Sequence, residues 1–199
     1  MMDLERAARE SGVVRPEHVT QLIRSLKLRD YRWIVCNPSS AEPRLQGDLI
    51  LQIPVAVIDP AGKARSRNLT AMVLNNACDL QSGRSEFISL APVEDFSAFS
   101  EAMLNKDRDQ ARQYLNSLQA NQIDELLYLP RSPQLPNGGV VRFDLISSLS
   151  ATVYESAIAG SRRLASLTQN GFYLLLMKLT HFLARPESAE IVRDSQAQL

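Results

Sequence analysis

The segment Asn75-Asn76-Ala77-Cys78-Asp79 collects amide, thiol and carboxylate groups directly behind an apolar run, Leu69 to Leu74. Side-chain amides suit the reading of base edges, a thiol is a nucleophile once it is thiolate, and a carboxylate serves as base or ion-pair partner. A thiolate needs a base or a cation beside it. Arg84 is the nearest local cation, and neither histidine, His18 or His181, is close to Cys78 in sequence. The alternative reading makes Cys78 a small core residue and Asp79 the cap of a turn leading to Ser82-Gly83. A second cluster, Lys63, Arg65 and Arg67, follows the turn signal Asp59-Pro60-Ala61-Gly62 and concentrates positive charge on what reads as a loop. Asp48 follows Gly47 at a strand start, where it either joins such a site or bonds its own turn.

Composition narrows the chemistry. Lys and Arg number 22, Asp and Glu number 22, and the net charge is zero, so no global basic field marks a nucleic-acid binder and only a local patch would serve. With 45% hydrophobic residues the 199-residue chain reads as a globular domain with a real core, not as a disordered or collagen-like chain. Two cysteines, Cys36 and Cys78, are too few for a disulfide scaffold, which points to free thiols and a cytoplasmic protein. The histidines lie apart from the cysteines, so neither a metal nor another cofactor is expected. The N-terminal MMDLERAARESG has no apolar core of a signal peptide. Gly171 to Leu183 is apolar over thirteen residues and contains Lys178, short of the roughly 20 needed to span a bilayer. No membrane association is expected.

These side chains must be held by a mixed set of elements. Residues 1–35 read as helical around Pro16 and the stripe Val19, Leu22, Ile23, Leu26, with Tyr31 to Val35 as a short strand. Asp48 to Ile58, Leu69 to Leu74 and Glu86 to Leu90 read as strands, Pro54 marking a bulge or an edge. The period then changes. Phe99, Met103 and Leu104 mark one short helix, and Ala111, Tyr114, Leu115 and Leu118 a second, together a helical insertion over 96–125. Leu126 to Leu129, Val140 to Ile146 and Ala151 to Tyr154 return to strand, Arg162-Arg163 read as a solvent-facing pair flanking a helix, and Thr168 caps a closing helix that ends before Pro186. The expectation is an α+β fold: a small, strongly bent antiparallel sheet or SH3-like barrel with a helical insertion, an N-terminal and a C-terminal helix. Its parts are an N-terminal arm, 1–46, a barrel domain, 47–186, and a polar tail, 187–199.

The order of parts resembles the PemK/MazF-like toxins. Gly47-Asp48-Leu49-Ile50, a loop with Arg65 and Arg67, and Thr70 to Leu74 ending in Asn75-Asn76 are similar to that family's opening strands. Ile88 to Val93 is similar to the next strand, and Leu145 to Tyr154 with the closing helix to the final ones; the likeness covers residues 47–93 and 140–184. It implies an SH3-like barrel and, in the toxins, metal-independent cleavage of single-stranded RNA by a homodimer. Under it Arg67 stabilises developing charge, Arg65 contacts phosphate, Asp79 or Asp48 moves protons, and Asn75 and Asn76 read bases. The family's threonine falls near Glu94, which has no hydroxyl.

Two functions therefore stand side by side. One is an endoribonuclease of a toxin–antitoxin or phage-defence system, with catalytic candidates Arg67, Asp79, Cys78 and Asp48 and binding candidates Arg65, Asn75, Asn76 and Glu94. The other is a non-catalytic interaction module on the same barrel, bound to an antitoxin or another protein partner. A cysteine-dependent enzyme centred on Cys78 is a third.

Overall fold

The computed structural model describes residues 35–36, 43–58, 61–81, 84–159 and 163–184. The helix expected before Val35, the polar tail after Ala184, and Arg162 lie outside them. Among the described residues the chain is α+β, with eight strands in one antiparallel sheet and four α-helices. In chain order these are β1 (Val35–Cys36), β2 (Leu49–Ile58), β3 (Ala64–Val73), β4 (Phe87–Asp95), α1 (Phe96–Leu104), α2 (Arg108–Gln119), β5 (Leu126–Leu129), β6 (Gly139–Arg142), β7 (Ser147–Ser150), α3 (Ala151–Ile158), β8 (Arg163–Leu167) and α4 (Gln169–Ala184). The sheet runs β1-β8-β2-β3-β4-β6-β5, with β7 paired to β4 alongside β6. It is open, with β1 and β5 at its ends.

Four local expectations are corrected. Arg65 and Arg67 are not on a loop: they belong to β3, whose first five residues are exposed and lack the apolar alternation that marks a strand. Pairing with the apolar second half of β2, from Ile53↔Leu69 to Ile58↔Ala64, makes the strand there. Ala151 to Tyr154 is the start of α3 instead of a strand. Ser150 caps it by accepting from the Val153 N–H, and the packing of Tyr154 overrides the β-branched pair Thr152-Val153. Arg163 opens β8, paired to Leu49 and Ile50 of β2, and flanks no helix. The run Val140 to Ile146 is also broken, by a 3₁₀ turn over Phe143–Leu145 that buries Phe143.

Pro54 behaves as its chemistry requires. The register of β2 shifts between Ile50 and Ile53, Gln52 takes a positive φ of 49°, and β8 no longer follows β2 beyond Ile50. The missing N–H of Pro54 therefore costs no ladder bond.

Register assigns the core to two faces, because residues directly opposite share a face. Leu49↔Met72↔Ala91 and Val93↔Val141↔Leu127 lie on one face, covered by Leu174 and Leu175 of α4. Ile50↔Ala71↔Pro92, Val73↔Leu90 and Glu94↔Val140↔Tyr128 lie on the other. That second face has two covers. Tyr154 of α3 packs on Ile50, Ala71, Val73 and Leu90 at one end. At the other end Phe96, Leu115 and Leu118 of the α1–α2 hairpin pack on Leu126, Tyr128 and Val140, the Phe96 and Tyr128 rings meeting edge to face at 5.0 Å.

Tyr154 carries an imperfection. Its hydroxyl is buried and has no hydrogen-bond partner among the described residues, and burial pushes its pKa up to about 12. Tyr154→Phe keeps the ring under the Arg44 guanidinium and removes only the unpaired hydroxyl, so stability is expected to hold or rise by up to about 1 kcal/mol. A urea titration checks this; a loss of about 1 kcal/mol or more would mean that the hydroxyl is bonded in solution.

Candidate functional site

Between the two covers the second face stays open. The reason is where β4 parts from β3. On one side β4 pairs with β3 only over Leu90 to Val93, ending at Thr70↔Val93; on its other side it pairs with β7 over Phe87 to Leu90 and with β6 over Val93 to Asp95. The outer part of β3 is thus left without β4, and α1, which starts at Phe96, forms the opposite wall. The result is a cleft of about 820 Å³ with an apolar floor that includes Leu69, Pro92, Leu126 and Leu145. Arg67, Lys106 and Arg142 contribute positive charge to its walls, and Glu94, Asp95, Glu125 and Asp144 negative charge. A smaller cleft of about 210 Å³ shares Val93, Glu94 and Asp95 with it as lining residues.

The charges are largely committed to one another. Arg142 Nε and Nη2 donate to the two Asp144 oxygens at 2.8 and 2.6 Å, and Nη1 donates to Glu94 Oε1 at 2.8 Å. The bidentate bond to Asp144, with Glu94 in support, holds the guanidinium above its ordinary pKa against a desolvation cost. The 3₁₀ turn makes the pair: it buries Phe143 and leaves its neighbours Arg142 and Asp144 side by side. Asp95 caps α1 by accepting from the Ala98 N–H at 3.0 Å and accepts from Asn137 Nδ2 at 2.9 Å, and those bonds depress its pKa. Tyr114 is raised by burial and by Glu125. Neither Arg67 nor Lys106 has an ion pair or side-chain hydrogen bond among the described residues, so both cations are available to a ligand.

Of the residues singled out from the sequence, the cleft brings together Arg67 and Glu94 only. Arg65 stands two residues from Arg67 on the same strand and face. Six residues of extended strand, roughly 20 Å, separate Arg67 from Val73, and the other candidates lie at that far end. Asp48 is fully buried; it accepts from the Leu45 N–H at 3.1 Å, from Arg163 Nη1 at 3.2 Å and from the Ser166 hydroxyl. Asn75 accepts from the Ser89 N–H at 2.6 Å and donates to the Phe87 carbonyl at 3.4 Å, which extends the β3–β4 ladder with a side chain. The Asn76 carbonyl accepts from the Asp79 and Leu80 N–H groups and closes a turn anchored by buried Leu80. Cys78 and Asp79 are exposed on that turn.

No family model matches this chain, and no curated protein does. The site is therefore judged on its own geometry. Among the described residues no group of three or more His, Cys, Asp or Glu is arranged to hold a metal, and no helix is long and apolar enough to cross a membrane. The sequence reading missed Arg142, Asp144, Tyr114 and Lys106. One signal was present: Arg142 and Asp144 are a charged pair of opposite sign, two residues apart, within the otherwise apolar VVRFDLI. Lys106 and Tyr114 reach the cleft only because the α1–α2 hairpin folds over this sheet.

Proposed function

We propose that the chain is a non-catalytic protein-binding module, an opened relative of the PemK/MazF-like SH3-like barrel, whose ligand surface is the cleft between β3, β4 and the α1–α2 hairpin. The observation that carries this is the dispersal of the candidate catalytic groups. Metal-free cleavage of RNA through the 2′-hydroxyl needs a cation and proton-transfer groups around one phosphodiester. Here six residues of extended strand, roughly 20 Å, separate Arg67 from the end of β3, beyond which Cys78 and Asp79 lie, and Asp48 is enclosed by Leu45, Arg163 and Ser166.

The cleft is also poorly suited to a polyanion. Its four carboxylates outnumber its three cations, and one of those cations, Arg142, is already shared between Glu94 and Asp144. Single-stranded nucleic acid is held by a positive groove with aromatic platforms. An apolar floor with walls of both signs fits a polypeptide better. The barrel relationship rests on the long hairpin β2–β3, the return of β8 to pair with β2, and the closing helix α4 across one face.

Purified protein incubated with a pool of unstructured RNA, without added metal, is expected to leave it intact, and Arg67→Ala to behave identically. RNA cut at a recurring sequence, with cutting lost in Arg67→Ala, would overturn the binding reading in favour of the endoribonuclease.

A further inference from the structure

Among the described residues the outer half of β3 is an open sheet edge, and its chemistry specifies what can pair with it. The Val73 N–H donates to the Asp48 carbonyl on the β2 side, whereas the Leu74 N–H donates to the Ser89 carbonyl on the β4 side. Backbone groups alternate along a strand, so even-numbered residues of β3 face the β4 side. Two prolines agree with this phase. Pro54 lies opposite Asn68 and Pro92 opposite Ala71, each at a position where the partner's N–H points away from it. Below Thr70 the β4 side has no strand neighbour among the described residues. Ser66 and Asn68 therefore direct N–H and C=O into the opening where β4 parts from β3, while odd-numbered Arg67 and Leu69 direct side chains into the cleft.

We infer that this edge accepts an extended segment of a partner protein as an added antiparallel strand, with an apolar residue opposite Leu69 and an acidic residue two positions later opposite Arg67. The inference rests on the protein-binding reading and names its ligand. Backbone bonds to Ser66 and Asn68 supply affinity, and alternate side chains supply specificity. Charge complementarity selects the occupant. A second copy pairing through its own β3 sets Arg65 and Arg67 against their like-charged counterparts, which opposes self-association. An acidic residue at that position meets the Arg67 guanidinium, and the apolar one reaches the floor formed by Pro92 and Leu126.

The test uses a fluorescein-labelled synthetic peptide, Leu-Thr-Glu-Thr-Glu with threonine extensions, titrated with the full chain and read by anisotropy. Binding is expected below ~1 mM, with amide exchange slowed at Ser66 and Asn68 and not at the β1 edge. Arg67→Glu is expected to weaken binding about fivefold or more, and a peptide with lysine in place of glutamate should recover it, which also shows that the variant is folded. N-methylation of the peptide's β3-facing amides should abolish binding. Absence of binding up to ~1 mM, or binding without protection at Ser66 and Asn68, would overturn the strand addition while RNA remains uncut and the broader reading stands. RNA cleavage would remove that broader reading itself, and concentration-dependent self-association through β3 would replace the partner with a second copy.

Discussion

Replacing Asp48 by alanine is expected to lower stability by about 3–5 kcal/mol, the cost typical of breaking a buried ion pair from one side. The carboxylate is fully buried and serves three donors at once: the Leu45 N–H, Arg163 Nη1 and the Ser166 hydroxyl. These donors come from the chain entering β2 and from β8, so Asp48 joins the strand that begins the sheet's central hairpin to a strand more than a hundred residues later. Removing it takes a buried carboxylate acceptor from the Arg163 guanidinium, itself only 15% exposed, which keeps its bond to the Pro43 carbonyl at 3.0 Å. Asp48→Asn keeps an acceptor for Leu45 but not the charge, and its loss should be smaller. Urea unfolding of the three proteins side by side measures both. A change under about 1 kcal/mol in Asp48→Ala would show that the carboxylate is not structural and would reopen a chemical role.

The second large effect is a pH dependence centred on Lys178. This lysine of α4 is 2% exposed and donates from Nζ to the Asn121 carbonyl at 3.1 Å and to the Ile123 carbonyl. It thereby ties α4 to the end of α2 around the β5 edge. Asn121 completes the tie: it holds a positive φ of 54°, accepts from the Tyr128 N–H at 2.7 Å and donates to the Tyr128 carbonyl at 3.3 Å, so its side chain covers an edge that lacks another strand among the described residues. Burial lowers the Lys178 pKa from the ordinary 10.5 to about 8, against the opposing pull of Asp124 and Glu125. Between those values the unfolded chain holds a proton that the folded chain has released. Stability contributed by this group is therefore full above pH 10.5, falls as the pH drops toward 8 and is absent below it. The span amounts to about 3 kcal/mol. Stability of the wild type measured from pH 7 to 11 should climb relative to Lys178→Met, in which other alkaline titrations remain and cancel. Parallel curves would sink the assignment.

How much was readable in advance follows from the range of each interaction. The helices α1 and α2 are legible because their apolar residues recur at helical spacing, information contained within a dozen residues; the structure adds Asp95 and Asp107 as their caps. The same holds for β5, an unbroken apolar strand, and for Thr168, whose hydroxyl accepts from the Gly171 N–H as a cap should. Where local signals conflict, distant contacts win. The exposed half of β3 is a strand because β2 pairs with it, and Thr152-Val153 is helical because Tyr154 must reach the core under Arg44.

Local signals carry the class of the fold, the helical hairpin between two stretches of strand, and a set of polar candidates with no order among them. Which of those share a site is settled by long-range packing. The same segment that holds Asn75, Cys78 and Asp79 is placed a strand's length from Arg67, and Asp48 is sealed by Arg163 from the far end of the chain. Arg142 and Asp144 become a fork beside Glu94 because a 3₁₀ turn buries Phe143 between them. The physical reason is one of distance. Hydrogen bonding, capping and periodicity act over a few residues, whereas this cleft is made where β4 parts from β3 beyond Thr70↔Val93 while β6 still holds its other side, pairings with chain segments twenty to fifty residues away.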